Sequence, residues 1–150
     1  MASFVNAADA VAAAVEIERR GYAFYRRVTE KAADAGDKEF FAFMAEEEKR
    51  HEGVFAAMLE RLGGVALPAG SDDEEYLMYV RGLIDSHTLF MPGQEERTLA
   101  APLREAIQFE KDTLIFFLEL EHMVPDSEKR DVRRCADEER KHLRMLMKRL

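Results

Sequence analysis

Apolar positions recur along this chain at intervals of three, four and seven residues, in long stretches separated by short polar segments bearing most of the glycine and proline. That spacing puts them on one face of a helix. The first stretch predicts a helix from Asn6, a plausible cap ahead of Ala7-Ala8-Asp9, to about Ala33. Asp34-Ala35-Gly36-Asp37 reads as a turn whose Asp37 caps a second helix, Lys38 to about Leu62, ended by Gly63-Gly64. A third long helix is expected from about Leu99 to Met123, with Pro102 tolerated in its first turn. After the turn Val124-Pro125-Asp126-Ser127, a fourth is expected from near Ser127 to the last residue, Leu150. Such short turns make antiparallel neighbours. Between the two pairs lies a long connection: a loop from Pro68 to Asp73, a shorter helix from Glu74 to about Ser86, and an irregular stretch from His87 to Glu96. The expected fold is an all-α four-helix bundle, one domain over residues 1–150. Its helix pairs fall at about 7–62 and 99–150, and its crossover, 63–98, carries a short helix between the second and third long helices.

A length of 150 residues suits one core, and 47% apolar with 35% charged residues fits amphipathic helices rather than disorder. No apolar run approaches the ~20 residues that span a bilayer, and the N-terminus lacks the basic-then-apolar pattern of a secretory leader. The single cysteine, Cys135, leaves no intramolecular disulfide and no cysteine-based metal site in this sequence. These features lead us to expect a cytoplasmic protein without a membrane partner. A net charge of −8 argues against the basic stripe that nucleic acid requires.

The polar positions that interrupt the apolar stripes carry the chemistry. Glu48-Lys49-Arg50-His51 and Glu139-Arg140-Lys141-His142 each place a glutamate and a histidine three residues apart. At about 100° per residue, both point to one side of a helix. Glu18 and Glu110 lie in phase on the preceding helices, 30 residues before Glu48 and 29 before Glu139. The stripe neighbours are apolar: Phe41, Met44 and Phe55 around Glu48, and Val132, Cys135 and Leu146 around Glu139. Val11, Ala14, Tyr22 and Tyr25 flank Glu18, as Leu103, Ala106, Ile107, Leu114 and Phe117 flank Glu110. An ionised glutamate there costs several kcal/mol unless a cation compensates it. No lysine or arginine shares those stripes. Four carboxylates and two imidazoles converging in a four-helix bundle is the arrangement that holds two iron or manganese ions.

Phase also discounts a decoy. Glu119-Leu120-Glu121-His122 has the same spacing, but Glu119 sits half a turn away from Glu110 and is expected to face outward. Glu16, Glu46, Glu47, Asp137 and Glu138 read as solvated faces paired with Lys and Arg. Glu52 and Glu121, within ~40° of the ligand faces, stay open. Tyr25, two turns beyond Glu18, is either a core aromatic or a hydrogen-bond partner of a ligand. Cys135 reads as a small buried hydrophobe, and His87, in the crossover, has no evident partner.

The runs Glu18-Arg19-Arg20-Gly21-Tyr22-Ala23-Phe24-Tyr25, Ala45-Glu46-Glu47-Glu48-Lys49-Arg50-His51, Ala106-Ile107-Gln108-Phe109-Glu110-Lys111-Asp112 and Asp137-Glu138-Glu139-Arg140-Lys141-His142 resemble the rubrerythrin family of ferritin-like di-iron proteins. The likeness touches all four long helices. It implies a ferritin-like bundle with a non-haem di-iron site, Glu18 and Glu110 as terminal ligands, Glu48 and Glu139 as bridges, and His51 and His142 capping one metal each. It implies a peroxidase or oxidase of oxidative-stress protection, using hydrogen peroxide or dioxygen, with Tyr25 matching a family tyrosine near the site. The chain lacks the four-cysteine rubredoxin-like domain of full-length relatives, so electrons are expected from a separate rubredoxin-like donor. It also lacks their extra glutamate one turn from the third-helix ligand: the neighbours of Glu110 are Ala106, Ile107, Thr113 and Leu114. Two iron ions are the expected cofactor, with manganese and zinc compatible with the same donors. Iron storage or delivery, and a structural metal-binding module, are the alternatives. A homodimer is expected by analogy with bundles of this size.

Overall fold

The computed structural model of the protein describes residues 4–150, all but Leu99 to the side chain. Helix α1 (Ala7–Lys31) starts at the expected cap. Asn6 Oδ1 accepts from the Asp9 N–H at 3.1 Å, and the Asp9 carboxylate accepts from the Asn6 N–H at 2.9 Å. This reciprocal capping satisfies two backbone donors left over by the first turn. The helix ends at Lys31, short of Ala33, because Ala32 turns extended (φ −68°, ψ 133°). The cap of α2 (Ala35–Leu62) is Asp34 rather than Asp37. Its carboxylate accepts from the Asp37 N–H at 2.9 Å, so the helix begins ahead of the expected Lys38. Both acids have the right chemistry; Asp34 alone has the extended backbone (φ −80°, ψ 133°) that a cap requires.

The crossover is more helical than its composition suggested. Helix α3 (Glu74–Asp85) lies where expected, capped by Asp73, which accepts from the Tyr76 N–H at 3.1 Å. The stretch read as irregular contains a 3₁₀ turn, Thr88–Phe90, and a short helix, α4 (Gln94–Ala100). Gly93 leads into α4 at φ 78°, a left-handed conformation that glycine adopts without penalty. Helix α5 (Pro102–Met123) starts at the proline itself, and Ala101 (φ −152°, ψ 72°) separates it from α4. The physical cause is the proline ring, which disfavours a helical conformation in the residue before it. Helix α6 runs from Asp126 to Met147, short of the expected residue 150, because the last residues tighten into turns in which Arg149 N–H donates to Leu146 O and Leu150 N–H to Met147 O.

Short links fold α1 back along α2 and α5 back along α6, and the two pairs face each other across a continuous apolar interior. Phe24, Tyr25 and Phe109 interlock on one side of the centre, with ring centroids 4.8–5.3 Å apart. Phe55 and Phe117 pack at 5.0 Å elsewhere in the core. Such aromatic pairs bury large apolar areas and favour edge-on contact.

The crossover is fastened by buried polar groups. His87 is fully buried and does have a partner: Nδ1 accepts from the Leu89 N–H at 3.1 Å, so Nε2 carries the proton and faces Thr113 Oγ1 at 2.9 Å. Burial pushes the His87 pKa down to about 4, which keeps the ring neutral near pH 7. The N–H and hydroxyl of Thr88 both donate to Asp112 Oδ2. The Tyr76 hydroxyl donates to Glu119 Oε2 at 2.7 Å, so Glu119 is half covered by the crossover rather than fully solvated. Among the described residues there is no strand, and no helix is long and apolar enough to cross a membrane.

Candidate metal centre

The apolar stripes of α1, α2, α5 and α6 converge, and the six polar side chains that interrupt them converge with them. Glu18, His51, Glu110 and Glu139 are completely buried, and Glu48 and His142 are 2% exposed. Glu18 reaches in from α1, Glu48 and His51 from α2, Glu110 from α5, and Glu139 and His142 from α6. The α1 backbone at Gly21 lies beside Glu48: a methyl group there would meet Glu48 Cγ and Cδ at 3.5 Å, an ordinary van der Waals contact.

Donor atoms fall into two overlapping groups. Those of Glu18, Glu48, His51 and Glu139 lie within 4.8 Å of one another, as do those of Glu48, Glu110, Glu139 and His142. Glu48 and Glu139 belong to both. Glu139 divides its oxygens between them, Oε1 at 2.9 Å from His51 Nδ1 and Oε2 at 3.2 Å from His142 Nδ1. The two imidazoles stack at 5.7 Å between centroids, 23° from parallel, each with Nδ1 turned inward.

The electrostatics show how little this pocket tolerates four bare carboxylates. Burial, then the Glu139 charge, raises the pKa of Glu18. Burial and the neighbouring glutamates push Glu48 and Glu110 well above the usual carboxylate range. Glu139 goes the other way: against the upward push of burial, the adjoining Glu110, His142 and His51 side chains hold it well below that range. Burial disfavours the charged form of His51, yet Glu139 and Glu18 overcome it and raise its pKa to about 12. His142 is likewise raised against burial, by Glu139. Protons therefore serve as the compensating charge in the absence of a cation.

Both oxygens of Glu18, Glu48 Oε1 and Glu110 Oε2 are buried with no hydrogen-bond partner. Unpartnered buried oxygens are costly, and here they all face the two overlapping groups. Hard oxygen donors with two imidazoles suit iron or manganese. The residues thus fit a pair of divalent cations on the chemistry of the donor set.

The surroundings correct several sequence expectations. Glu47 and Glu138, read as solvated, are partly covered and sit behind the histidines. Glu47 Oε2 lies 3.5 Å from His142 Nε2, and Glu138 Oε2 lies 3.7 Å from His51 Nε2. Arg50 spans both acids. Despite partial burial, Arg50 and His142 hold Glu47 below the usual carboxylate range. The available signal was position: each acid immediately precedes a ligand-phase glutamate, in a helix that faces the other pair. Glu52 turns to Arg19 at 3.1 Å, and Glu121 binds Arg133 at the bundle surface, so neither joins the donor groups. His122 is exposed.

Tyr25 is a fully buried core aromatic whose hydroxyl is satisfied by one of the six converging side chains. Its hydroxyl donates to Glu110 Oε1 at 2.8 Å, and its ring stacks on Phe41 at 6.1 Å. Burial and the Glu110 charge raise its pKa well above that of a free phenol, so it remains a proton donor. Tyr22 is only half-buried, beneath the Lys49 ammonium. Burial pushes the Cys135 thiol up to about 12, as suits an inert core residue. Near Glu110, Ala106 and Ile107 are core, and Thr113 is engaged by His87. Glu105 is paired with Arg97 at 2.7 Å, so α5 brings no second carboxylate to the donor groups.

An all-helical bundle with a buried cluster of carboxylates and histidines between its long helices is a ferritin-like arrangement. The chain belongs to the rubrerythrin family, whose model matches residues 9–150. Its fold is similar to that of a Thermotoga maritima chain described as a ferritin-like diiron-carboxylate protein. The two share 24% identity at a TM-score of 0.70, over 95% of this chain and 93% of that one. Comparison with curated proteins returned no match.

Proposed function

We propose that the protein is a non-haem di-iron oxidoreductase that reacts with hydrogen peroxide or dioxygen and is re-reduced by an external rubredoxin-like donor. The observation that carries this reading is the sharing of Glu48 and Glu139 between two donor groups, each completed by one further glutamate and one histidine. Glu18 and Glu110 would then be terminal ligands, and His51 and His142 would each complete one ion's shell. A ferrous pair bound by these residues would supply the two electrons that, with two protons, reduce one hydrogen peroxide to two waters. The buried apolar surroundings would keep water from such a pair, and Tyr25 holds Glu110 in place through its hydroxyl. The reading includes a homodimer.

The activity is tested by mixing anaerobic protein, loaded with ferrous iron, with peroxide and with dioxygen in a stopped-flow instrument. Two irons per chain, oxidised by one peroxide per pair and returned to the ferrous state by reduced rubredoxin, are expected. Iron uptake continuing beyond two per chain without turnover would instead establish storage or delivery.

Loading is also expected to release protons. Glu18, Glu48, Glu110, His51 and His142 all have raised pKa values in the cation-free pocket, so cations and protons compete for the same atoms. Affinity for Mn²⁺ therefore rises with pH. The stability that protonated His51 contributes to the metal-free fold is whole below the ordinary histidine value of 6.5 and is lost as pH climbs towards about 12. The melting-temperature gap between Mn²⁺-loaded and metal-free protein should widen from pH 6 to pH 9. A gap independent of pH would contradict proton displacement.

A further inference from the structure

The two ligand-bearing runs are near copies, Glu47-Glu48-Lys49-Arg50-His51 and Glu138-Glu139-Arg140-Lys141-His142. Position for position, Arg50 answers to Lys141. The structure breaks that symmetry. Arg50 Nη2 lies 2.8 Å from Glu47 Oε2 and also contacts Glu138 Oε2, so one guanidinium joins the acids of both runs. Lys141 is exposed and forms no ion pair among the described residues, while Arg140 turns to Asp137 on its own helix. Glu47 and Glu138 are the acids behind the outer nitrogens of His142 and His51.

We infer that Arg50 is a positioning residue for the metal pair: by spanning Glu47 and Glu138 it holds those carboxylates against the outer ring nitrogens of His142 and His51, and so orients both imidazoles. This rests on the reading of the interior donors as a metal centre. An imidazole that gives one nitrogen to a metal carries its proton on the other, and a carboxylate accepting that proton fixes the ring and raises its basicity. At 3.5 and 3.7 Å the two carboxylates are near the rings without being hydrogen-bonded to them. Their placement therefore comes from Arg50. The bridge is not a stability device, because Arg50 is 46% exposed and pairs at such sites contribute little to folding. Glu47, His51 and Glu138 also have the spacing of a cation site, but the Arg50 guanidinium already stands between the two acids. Lysine is a poor substitute: Arg50 faces Glu47 with both Nε and Nη2 while Nη2 also reaches Glu138, and an ammonium has no such fixed fork.

The test is Co²⁺ titration of metal-free protein, with paramagnetic proton NMR of the loaded form. Wild type should take up two Co²⁺ per chain and show two solvent-exchangeable, hyperfine-shifted Nε2–H signals. R50Q and R50K should each bind both ions about 10–100-fold more weakly and lose those signals to exchange. The double variant R50K/K141R returns a guanidinium from the equivalent position of the other run, and should recover affinity and signals together. R50Q or R50K with wild-type affinity and both signals intact overturns the assignment, as does an R50K/K141R protein no better than R50K. Wild type that binds no pair of Co²⁺ ions defeats the metal-centre reading itself, a result distinct from either.

Discussion

Substituting alanine for Glu139 is expected to abolish binding of a metal pair and to destabilise the metal-free protein by about 3–5 kcal/mol. Glu139 is the hub of the pocket. Its two oxygens face the inner nitrogens of both histidines, at 2.9 and 3.2 Å, and it belongs to both donor groups. It is also the one buried glutamate held well below the usual range, so it is the ionised partner that keeps His51 charged. Removing it strands two buried imidazoles, and breaking a buried pair from one side leaves the other side uncompensated. Metal analysis after dialysis against Mn²⁺ measures the first effect, and urea denaturation of chelator-treated protein measures the second. A variant that still binds two ions per chain would rule out Glu139 as a bridge.

Glu18→Met should have the opposite effect on the metal-free fold, raising its stability by about 1–3 kcal/mol. Glu18 is wholly buried, neither oxygen has a hydrogen-bond partner, and burial raises its pKa. Methionine has a similar length and shape and no polar group to desolvate. The substitution also removes the attraction to His51, whose Nδ1 lies 3.7 Å from Glu18 Oε2, and this offsets part of the gain. With metal present the order reverses. Wild type gains about 2.7 kcal/mol per site at a hundredfold excess over Kd, and the variant lacks a complete pair of sites. Melting curves with and without Mn²⁺ resolve the two regimes. A metal-free Glu18→Met protein less stable than wild type would show that Glu18 supports the fold rather than a cation.

These opposite signs arise from two glutamates that look alike in the sequence. Both interrupt an apolar stripe, both were legible as interior from their phase, and neither shows along the chain which will be paired without a cation. That depends on distances across helices. The same holds for Glu47 and Glu138: helical phase turns them away from their own stripe, and only the approach of the opposite pair brings them behind the histidines. Phase did separate the decoy, since Glu119 lies outside both donor groups and His122 is exposed. It left Glu119 too solvated, because the crossover tyrosine that covers it, Tyr76, is 43 residues away in the chain.

Local physics was readable where it was strong. The Asn6 cap, the Gly63 stop and the four long apolar stripes all emerge in the fold. It was ambiguous where two residues could do one job, as with Asp34 and Asp37, or where a steric rule competed with periodicity, as at Ala101 before Pro102. His87 shows the limit most plainly: its partners are Leu89 and Thr113, one in the next turn and one on α5, and no pattern along the chain links them.

The order of residues by itself determined four amphipathic helices and the six donors they turn inward, because helical periodicity ties chain position to facing direction. The tertiary structure alone decided which acids share protons, which arginine spans the two halves, and how the crossover is fastened. Those outcomes follow from separations of a few ångströms between residues far apart in the chain, and from the burial that amplifies every charge among them.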